Sequence, residues 1–244
     1  MSITIAAFQM PFATANRAKN LELVLERLQW AEIRQVELVV FPECFLTGYF
    51  TNLIDAKAAA LNIESSEFQM VLQQLEPFKS TIVLGLIETD GINFYNTAVV
   101  ILNGTLLGKY RKTHPNEKCF VAGNEYPVFA VANFQFGINI CADANFPEAA
   151  YRVAEAGANI IVYPLYNALP EDIAIRWREK SPENLRLRAI ETGCYIISAD
   201  VIGHDHSSLS YGCTQVFSPS GELMSAVSEF EIGVAMTIIS REKL

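Results

Sequence analysis

The 244-residue chain is poor in positive charge: 18 lysines and arginines face 27 aspartates and glutamates, a formal charge of −9 at pH 7, with only three histidines. A field of that sign repels phosphate backbones and anionic lipid surfaces, so nucleic acid and membranes are not expected partners. No apolar run reaches the roughly 18–20 residues that a membrane-spanning helix needs, and the opening MSITIAAFQM lacks the basic start and long apolar run of a secretory signal. The five cysteines, Cys44, Cys119, Cys141, Cys194 and Cys213, are odd in number, scattered and without paired metal-ligand spacing. That pattern predicts free thiols in a cytoplasmic protein and no metal site. His204 and His206 in GHDHSS lack companion ligands nearby and read as a polar loop. There is no Pro/Gly/Ser-rich linker, low-complexity tract or short-period repeat, so one domain over residues 1–244 is expected.

What the chain does have is apolar material, 51% hydrophobic against 18% charged, which is enough for a large core. Runs rich in β-branched residues recur at 3–8, 36–41, 81–87, 97–102, 136–141, 159–164, 195–200 and 213–218, and read as strands, several buried on both faces. Helical periodicity covers 15–35, 65–78, 147–156 and 182–192, the last opening on Pro182. Strand and helix alternate, which makes this an α/β protein. The turn Pro219-Ser220-Gly221 between two strand-like stretches predicts a hairpin, so the sheets are mixed. The polar tail REKL reads as a frayed end.

Three segments carry chemistry. In ELVVFPECFLTGY an apolar strand runs into Glu43; the carboxyl end of a strand in an α/β sheet opens toward a ligand crevice, although for this segment alone a solvated loop glutamate is the commoner explanation. GKYRKTHPNEK gathers cations in an otherwise acidic chain. Strand alternation sends Lys109 and Arg111 to one face and Tyr110 and Lys112 to the other, although a solubilising charge run is the commoner explanation for such a cluster. FGINICADANFPE ends a buried strand on Cys141 and starts a helix near Pro147. A thiol on that turn lies near backbone N–H groups, which favour thiolate and bind an oxyanion; an inert buried cysteine is the alternative, and the one assigned to the other four. His114 is the one histidine with a basic neighbourhood, which leaves a Cys–His pairing open, but the cysteine-protease signatures are absent.

Together the segments resemble the nitrilase superfamily of carbon–nitrogen hydrolases. FPECFLTGY matches its first block at Glu43, YRKTH its second at Lys112, and GINICADANFPEAAYRVAEAGA its third at Cys141, Asp143, Phe146, Pro147, Glu148 and Arg152. RAIETGCYIISAD and FSPSGELMS are similar to later blocks, in matching order. The resemblance implies a four-layer α-β-β-α sandwich that dimerises through its helices, and a Glu-Lys-Cys triad. In that triad Glu43 is general base, Lys112 holds the oxyanion with the N–H of Ala142, and Cys141 is the nucleophile. It further implies a second glutamate at Glu117, with Glu125 the competing position, and substrate contacts at Ala142, Asn145 and Tyr49. The partners are then a small-molecule amide and water, with no metal or organic cofactor. The departures, Pro115, Ala142, Ala144-Asn145 and Thr192, fall where relatives line or support the pocket, so substrate identity does not carry over. Amide, carbamoylated amine and nitrile stay open, as does a non-catalytic binder on the same scaffold. No arginine pair suited to a dicarboxylate is evident, with Arg111, Arg176 and Arg178 unassigned. Ala142-Asp143, where nitrilases carry Trp-Glu, favours amides.

Overall fold

The computed structural model describes residues 2–240; the REKL tail lies outside them. In chain order the first half contains β1 (Ser2–Pro11), α1 (Arg17–Ile33), β2 (Leu38–Val40), α2 (Leu53–Ala59), α3 (Ser66–Leu75), β3 (Thr81–Thr89), β4 (Phe94–Leu102) and β5 (Thr105–Arg111). There follow β6 (Val128–Val131), β7 (Phe134–Ile138), a 3₁₀ turn (Cys141–Asn145), α4 (Pro147–Glu155), β8 (Ile160–Pro164), α5 (Glu171–Thr192) and β9 (Tyr195–Ala199). The chain closes with β10 (Val201–His204), β11 (Leu209–Ser210), β12 (Gln215–Phe217), β13 (Leu223–Ala226) and β14 (Gly233–Ser240).

One sheet has the order β11-β10-β1-β2-β3-β4-β5, with β14 also paired to β1, and the other runs β13-β12-β9-β8-β7-β6. Each is mixed: β1, β2 and β3 are parallel and then fold back through β4 and β5, while β7, β8 and β9 are parallel between antiparallel flanks. Alternation along the central strands makes the layers. Ile3, Ile5 and Ala7 of β1 join Ile160 and Val162 of β8 between the sheets. Ala6, Phe8 and Met10 instead meet Leu21, Val24 and Leu28 of α1 and Phe68 of α3. On the far side, Ile161 and Tyr163 pack on Val153 of α4 and Leu185 and Ala189 of α5. The result is helix, sheet, sheet, helix, as expected. Removing one such anchor, Leu28→Ala, is expected to cost about 2–5 kcal/mol.

Local signals set the ends. Asn16 caps α1 by accepting from the Lys19 N–H, and Pro147 occupies the first turn of α4, where its missing N–H costs nothing. The hairpin between β12 and β13 forms at Ser218–Gly221. One expected boundary needs correction. The last long helix begins at Glu171, not at 182, and Pro182 lies inside it. Over 171–181 only Ala174 is buried, so the amphipathic stripe that betrays a helix is absent there and the proline is easily read as a start. The eight-residue β14 and the short α2 also lie outside the elements expected. Among the described residues, no helix is long and apolar enough to cross a membrane.

The turn after β2 is the piece of fold that matters most for the site. Phe41 donates to Val83 O (3.0 Å), Leu46 to Gly85 O (3.0 Å) and Glu43 to Leu165 O (3.1 Å), which pins residues 41–46 onto β3 and onto the chain leaving β8. Gly85 makes this possible: a Cβ there would lie 2.4 Å from Cys44 N and 2.5 Å from Pro42 O.

Candidate active site

Strand alternation through 109–112 gives the separation expected. Lys109 and Arg111 turn to one side and both bond Glu88, while Tyr110 and Lys112 are buried on the other. Lys112 leaves β5 with its N–H on Asn96 O (2.8 Å) and its side chain fully enclosed. Its Nζ donates to Glu43 Oε1 at 2.7 Å and approaches Glu117 Oε1 at 3.5 Å. Asn96 Nδ2 donates to the same Glu43 oxygen at 2.6 Å, and the Tyr49 hydroxyl donates to Glu117 Oε1. Cys44, read from sequence as inert, donates its thiol to Asn96 Oδ1 (3.4 Å), which turns the Asn96 amide so that its N–H faces Glu43. The second oxygens of Glu43 and Glu117 are buried without a partner.

Two carboxylates and one ammonium thus share a dry space. Burial pushes the Glu43 carboxyl up to about 7, with Glu117 adding to the rise, against the lowering effect of Lys112 and Asn96. Burial also drives Lys112 toward the neutral amine, but Glu43, Cys141 and Glu117 outweigh it and hold the ammonium charged.

Cys141 opens the 3₁₀ turn in left-handed backbone, φ +41°, a conformation that an L-residue adopts at a cost and that a tight turn enforces. Its Sγ lies 3.9 Å from Asn167 Oδ1. The turn is expected to favour thiolate, and here the surroundings act the other way. Burial, then the Glu43 charge, push the thiol well above its ordinary pKa, and Lys112 and the Tyr166 N–H recover only part of this. A thiol so placed calls for a base to become a nucleophile.

Asp143 joins the cysteine turn to the lysine loop. It accepts from Tyr110 OH (2.8 Å), Thr113 Oγ1 (3.0 Å), His114 N and Nδ1 (both 2.9 Å) and Ile140 N (2.8 Å). His114, stacked 3.9 Å from the Phe146 ring, is therefore committed to Asp143 and is not a partner of Cys141. Asp143 raises its pKa.

A cavity of about 250 Å³ opens at Cys141. Ala142, Asn145, Asn167, Trp177 and Asn184 are among the residues that line it. Tyr49, like Glu43, Lys112 and Glu117, is not among the lining residues; its ring stacks on Tyr166 at 4.7 Å and its hydroxyl donates to Glu117. Of the competing acidic positions, Glu117 is buried beside Lys112, and Glu125 is exposed. The remaining cysteines are free, with Cys194 and Cys213 buried and Cys119 partly so.

Sequence reasoning missed Asn96, Asn167 and Asp200. Asp200, at the end of β9, accepts from Asn167 N (3.1 Å) and Nδ2 (2.7 Å) and so aims Asn167 Oδ1 at the thiol. Burial raises its carboxyl to about 6. Both residues follow parallel strands at their carboxyl ends, the signal that could have flagged them.

Comparison with known proteins fits this geometry. The carbon-nitrogen hydrolase family model matches residues 4–244. The chain is 31% identical over 241 residues to a nitrilase of Pyrococcus abyssi, covering 96% of this chain and 88% of the relative. It is 27% identical over 242 residues to the omega-amidase NIT2-B of Xenopus laevis, covering 93% and 83%. Saccharomyces cerevisiae Nit3, a member of branch 10 of the nitrilase superfamily, superposes with a TM-score of 0.85 at 24% identity, over 99% of this chain and 91% of that one. An amidase from Nesterenkonia sp. gives 0.81 at 24% identity, over 97% and 90%. The match of a hydrolase family along nearly the whole sequence, with a relative above 30% identity over most of its own length, identifies the chain as an enzyme of the carbon-nitrogen hydrolase family, within the nitrilase superfamily.

Proposed function

We propose that the enzyme hydrolyses a non-peptide C–N bond in a small amide through a thioester on Cys141, with Glu43, Lys112 and Glu117 as the other acting residues. The observation that carries this reading is the buried, unpartnered Oε2 of Glu43, an acceptor near neutral pKa whose sister oxygen is held by Lys112 and Asn96. Glu43 takes the Cys141 proton as sulfur attacks the amide carbon. The C–S bond forms, the carbonyl π pair moves to oxygen, and Lys112 with the Ala142 N–H stabilises that oxyanion. Collapse breaks the C–N bond while protonated Glu43 delivers its proton to the departing ammonia or amine. Water then attacks the thioester, giving its proton to Glu43; the C–S bond breaks, sulfur carries off the bonding pair, and Glu43 returns the proton to it, which restores the starting thiol and carboxylate. Glu117 keeps Glu43 basic by its charge. The cycle calls for water and no cofactor.

The amide is favoured over the nitrile because Ala142-Asp143 follows the nucleophile, and a carbamoylated amine would use the same steps. The reading extends to a single domain over residues 1–244 and to a cytoplasmic location, supported by five free cysteines. It also extends to a homodimer or larger assembly through the helical faces, supported by exposed Ile175 and Ile190 on α5.

Intact-protein mass spectrometry with amide substrates tests the reading. An acyl adduct mapped to Cys141 and loss of turnover in a folded Cys141→Ala protein are the expected results. Turnover surviving in that variant, or faster ammonia release from nitriles than from matched amides, counts against it.

A further inference from the structure

We infer that the acyl pocket takes an uncharged acyl group and rejects an anionic one, a specificity that rests on the amide chemistry proposed at Cys141. Among the described residues, none of those lining the cavity carries a charge. Its polar wall is made of Asn116, Asn145, Asn167, Ser181 and Asn184, and the rest is apolar, with Trp177 the largest ring. Neutral dipoles solvate hydroxyl and amide groups well but leave an entering carboxylate without a counter-charge in a partly dry space, which is strongly unfavourable.

The cations close by are committed elsewhere. Arg178, on the adjoining wall, holds Glu229 through two bonds of 2.7 and 2.5 Å and lies over the Tyr211 ring. Arg188 pairs with Glu191 at 2.8 Å and donates to Ala144 O. Lys180 sits 4.4 Å over the Trp177 ring but is exposed and does not line the cavity. Lys112, which does not line the cavity, is shared between two carboxyls, Glu43 and Glu117, so that buried ion set offers no surplus of positive charge. The wall amides are themselves oriented. Asp200 accepts from the Asn167 backbone N–H and from its Nδ2, which turns Oδ1 toward the Cys141 thiol, an acceptor that repels a carboxylate. Asn184 Nδ2 donates to Asn145 Oδ1 at 2.7 Å, which leaves the Asn184 carbonyl as an acceptor and the Asn145 amide N–H as a neutral donor, neither of them a counter-charge for a carboxylate.

Matched alkylating agents test this without requiring turnover. Iodoacetamide and iodoacetate differ in charge and little in size, and their rate ratio at Cys141, read by peptide mapping, is normalised to the ratio at the same cysteine in the unfolded chain. The neutral reagent is expected to be favoured about tenfold or more beyond that reference, and Ser181→Lys or Asn184→Lys is expected to shrink the preference. A normalised ratio near one, or faster labelling by iodoacetate, overturns the inference. Hydrolysis of glutaramide against glutaramate, the same chain neutral and anionic, is expected to follow the same order. Selective labelling with neither compound hydrolysed would sink the amidase reading and leave the pocket inference standing. Equal hydrolysis with unselective labelling would do the reverse.

Discussion

Glu88 and Glu43 lie on opposite sides of one short stretch of chain, 109–112, and both are buried against its cations. Glu88 meets two, and both its oxygens are used: Lys109 (2.5 Å) and Arg111 (2.7 Å) on Oε1, Thr97 (2.8 Å) and Arg111 (2.9 Å) on Oε2. Burial tends to raise its pKa, but the bonds from Arg111, Lys109 and Thr97 win and the carboxyl is held below its ordinary value. Glu43 shares its one ammonium with Glu117, has an idle oxygen, and ends near 7. Residue types do not separate a structural ion pair from a reactive one. The count of cations per carboxyl and the satisfaction of each oxygen do.

The contrast breaks most visibly under charge removal. Glu43→Gln is expected to lower turnover by about 10²–10⁴-fold, as for loss of a general base, with Glu88→Gln staying within about threefold of wild type on the same catalytic scale. Steady-state kinetics on one accepted amide decide it, and comparable losses in both would erase the distinction. Next in size, Lys112→Ala is expected to lose about 10²–10³-fold in kcat through the oxyanion, whereas Lys109→Ala, on the other face, should leave kcat intact and alter only stability.

Smaller effects sharpen the comparison. Glu88→Gln leaves Arg111 and Lys109 short of a partner and is expected to cost about 1–3 kcal/mol in denaturant unfolding. That loss should depend on pH with a definite sign. A carboxyl whose folded pKa is depressed stabilises above its unfolded value and loses that contribution as pH falls through the folded value. The gap between wild type and Glu88→Gln should therefore be full at neutral pH and close in acid, below roughly pH 4. Glu43 has the opposite sign. Its raised pKa gives a contribution that is complete below the ordinary 4.5 and is lost as pH rises through about 7, so wild type should lose stability relative to Glu43→Gln across that window. Acylation, which uses the deprotonated carboxyl, should rise with pH through the same region. An acid limb centred near 4.5 would mean that Glu43 is an ordinary carboxylate.

Much of this arrangement was legible in the sequence. The alternation in KYRK divided Lys112 from Lys109 and Arg111, and the strand-to-turn placement of Glu43 and Cys141 located the crevice. Glu117 and the Ala142 and Asn145 positions followed from resemblance. The tuning was not legible. Asn96, 53 positions from Glu43, reads as one more polar residue at a strand start, and only the pairing of β4 with β3 brings it under that carboxyl. Asp200 and Asn167, 33 positions apart, are likewise brought together only by the pairing of β8 with β9. The partner of Tyr49 was not legible either: the chain turns at Gly48 (φ +83°), and the phenol donates to Glu117. The start of α5 was lost because its first turns carry no buried stripe.

The close approach of residues 42–44 to Gly85 has a bearing on how this enzyme tolerates mutation. Even alanine at 85 would collide with three backbone atoms of the segment that carries Glu43, and backbone cannot swing aside as a side chain can. In a saturation library, position 85 should thus tolerate as few replacements as the ionisable positions, although it contributes no atom to proton transfer. Counting intolerant sites would overstate the number of chemical participants. Activity alone would not separate the two kinds, whereas the pH dependence of the residual rate would: a displaced Glu43 in a Gly85→Ala protein should shift the acid limb, and a lost nucleophile should leave no limb to measure.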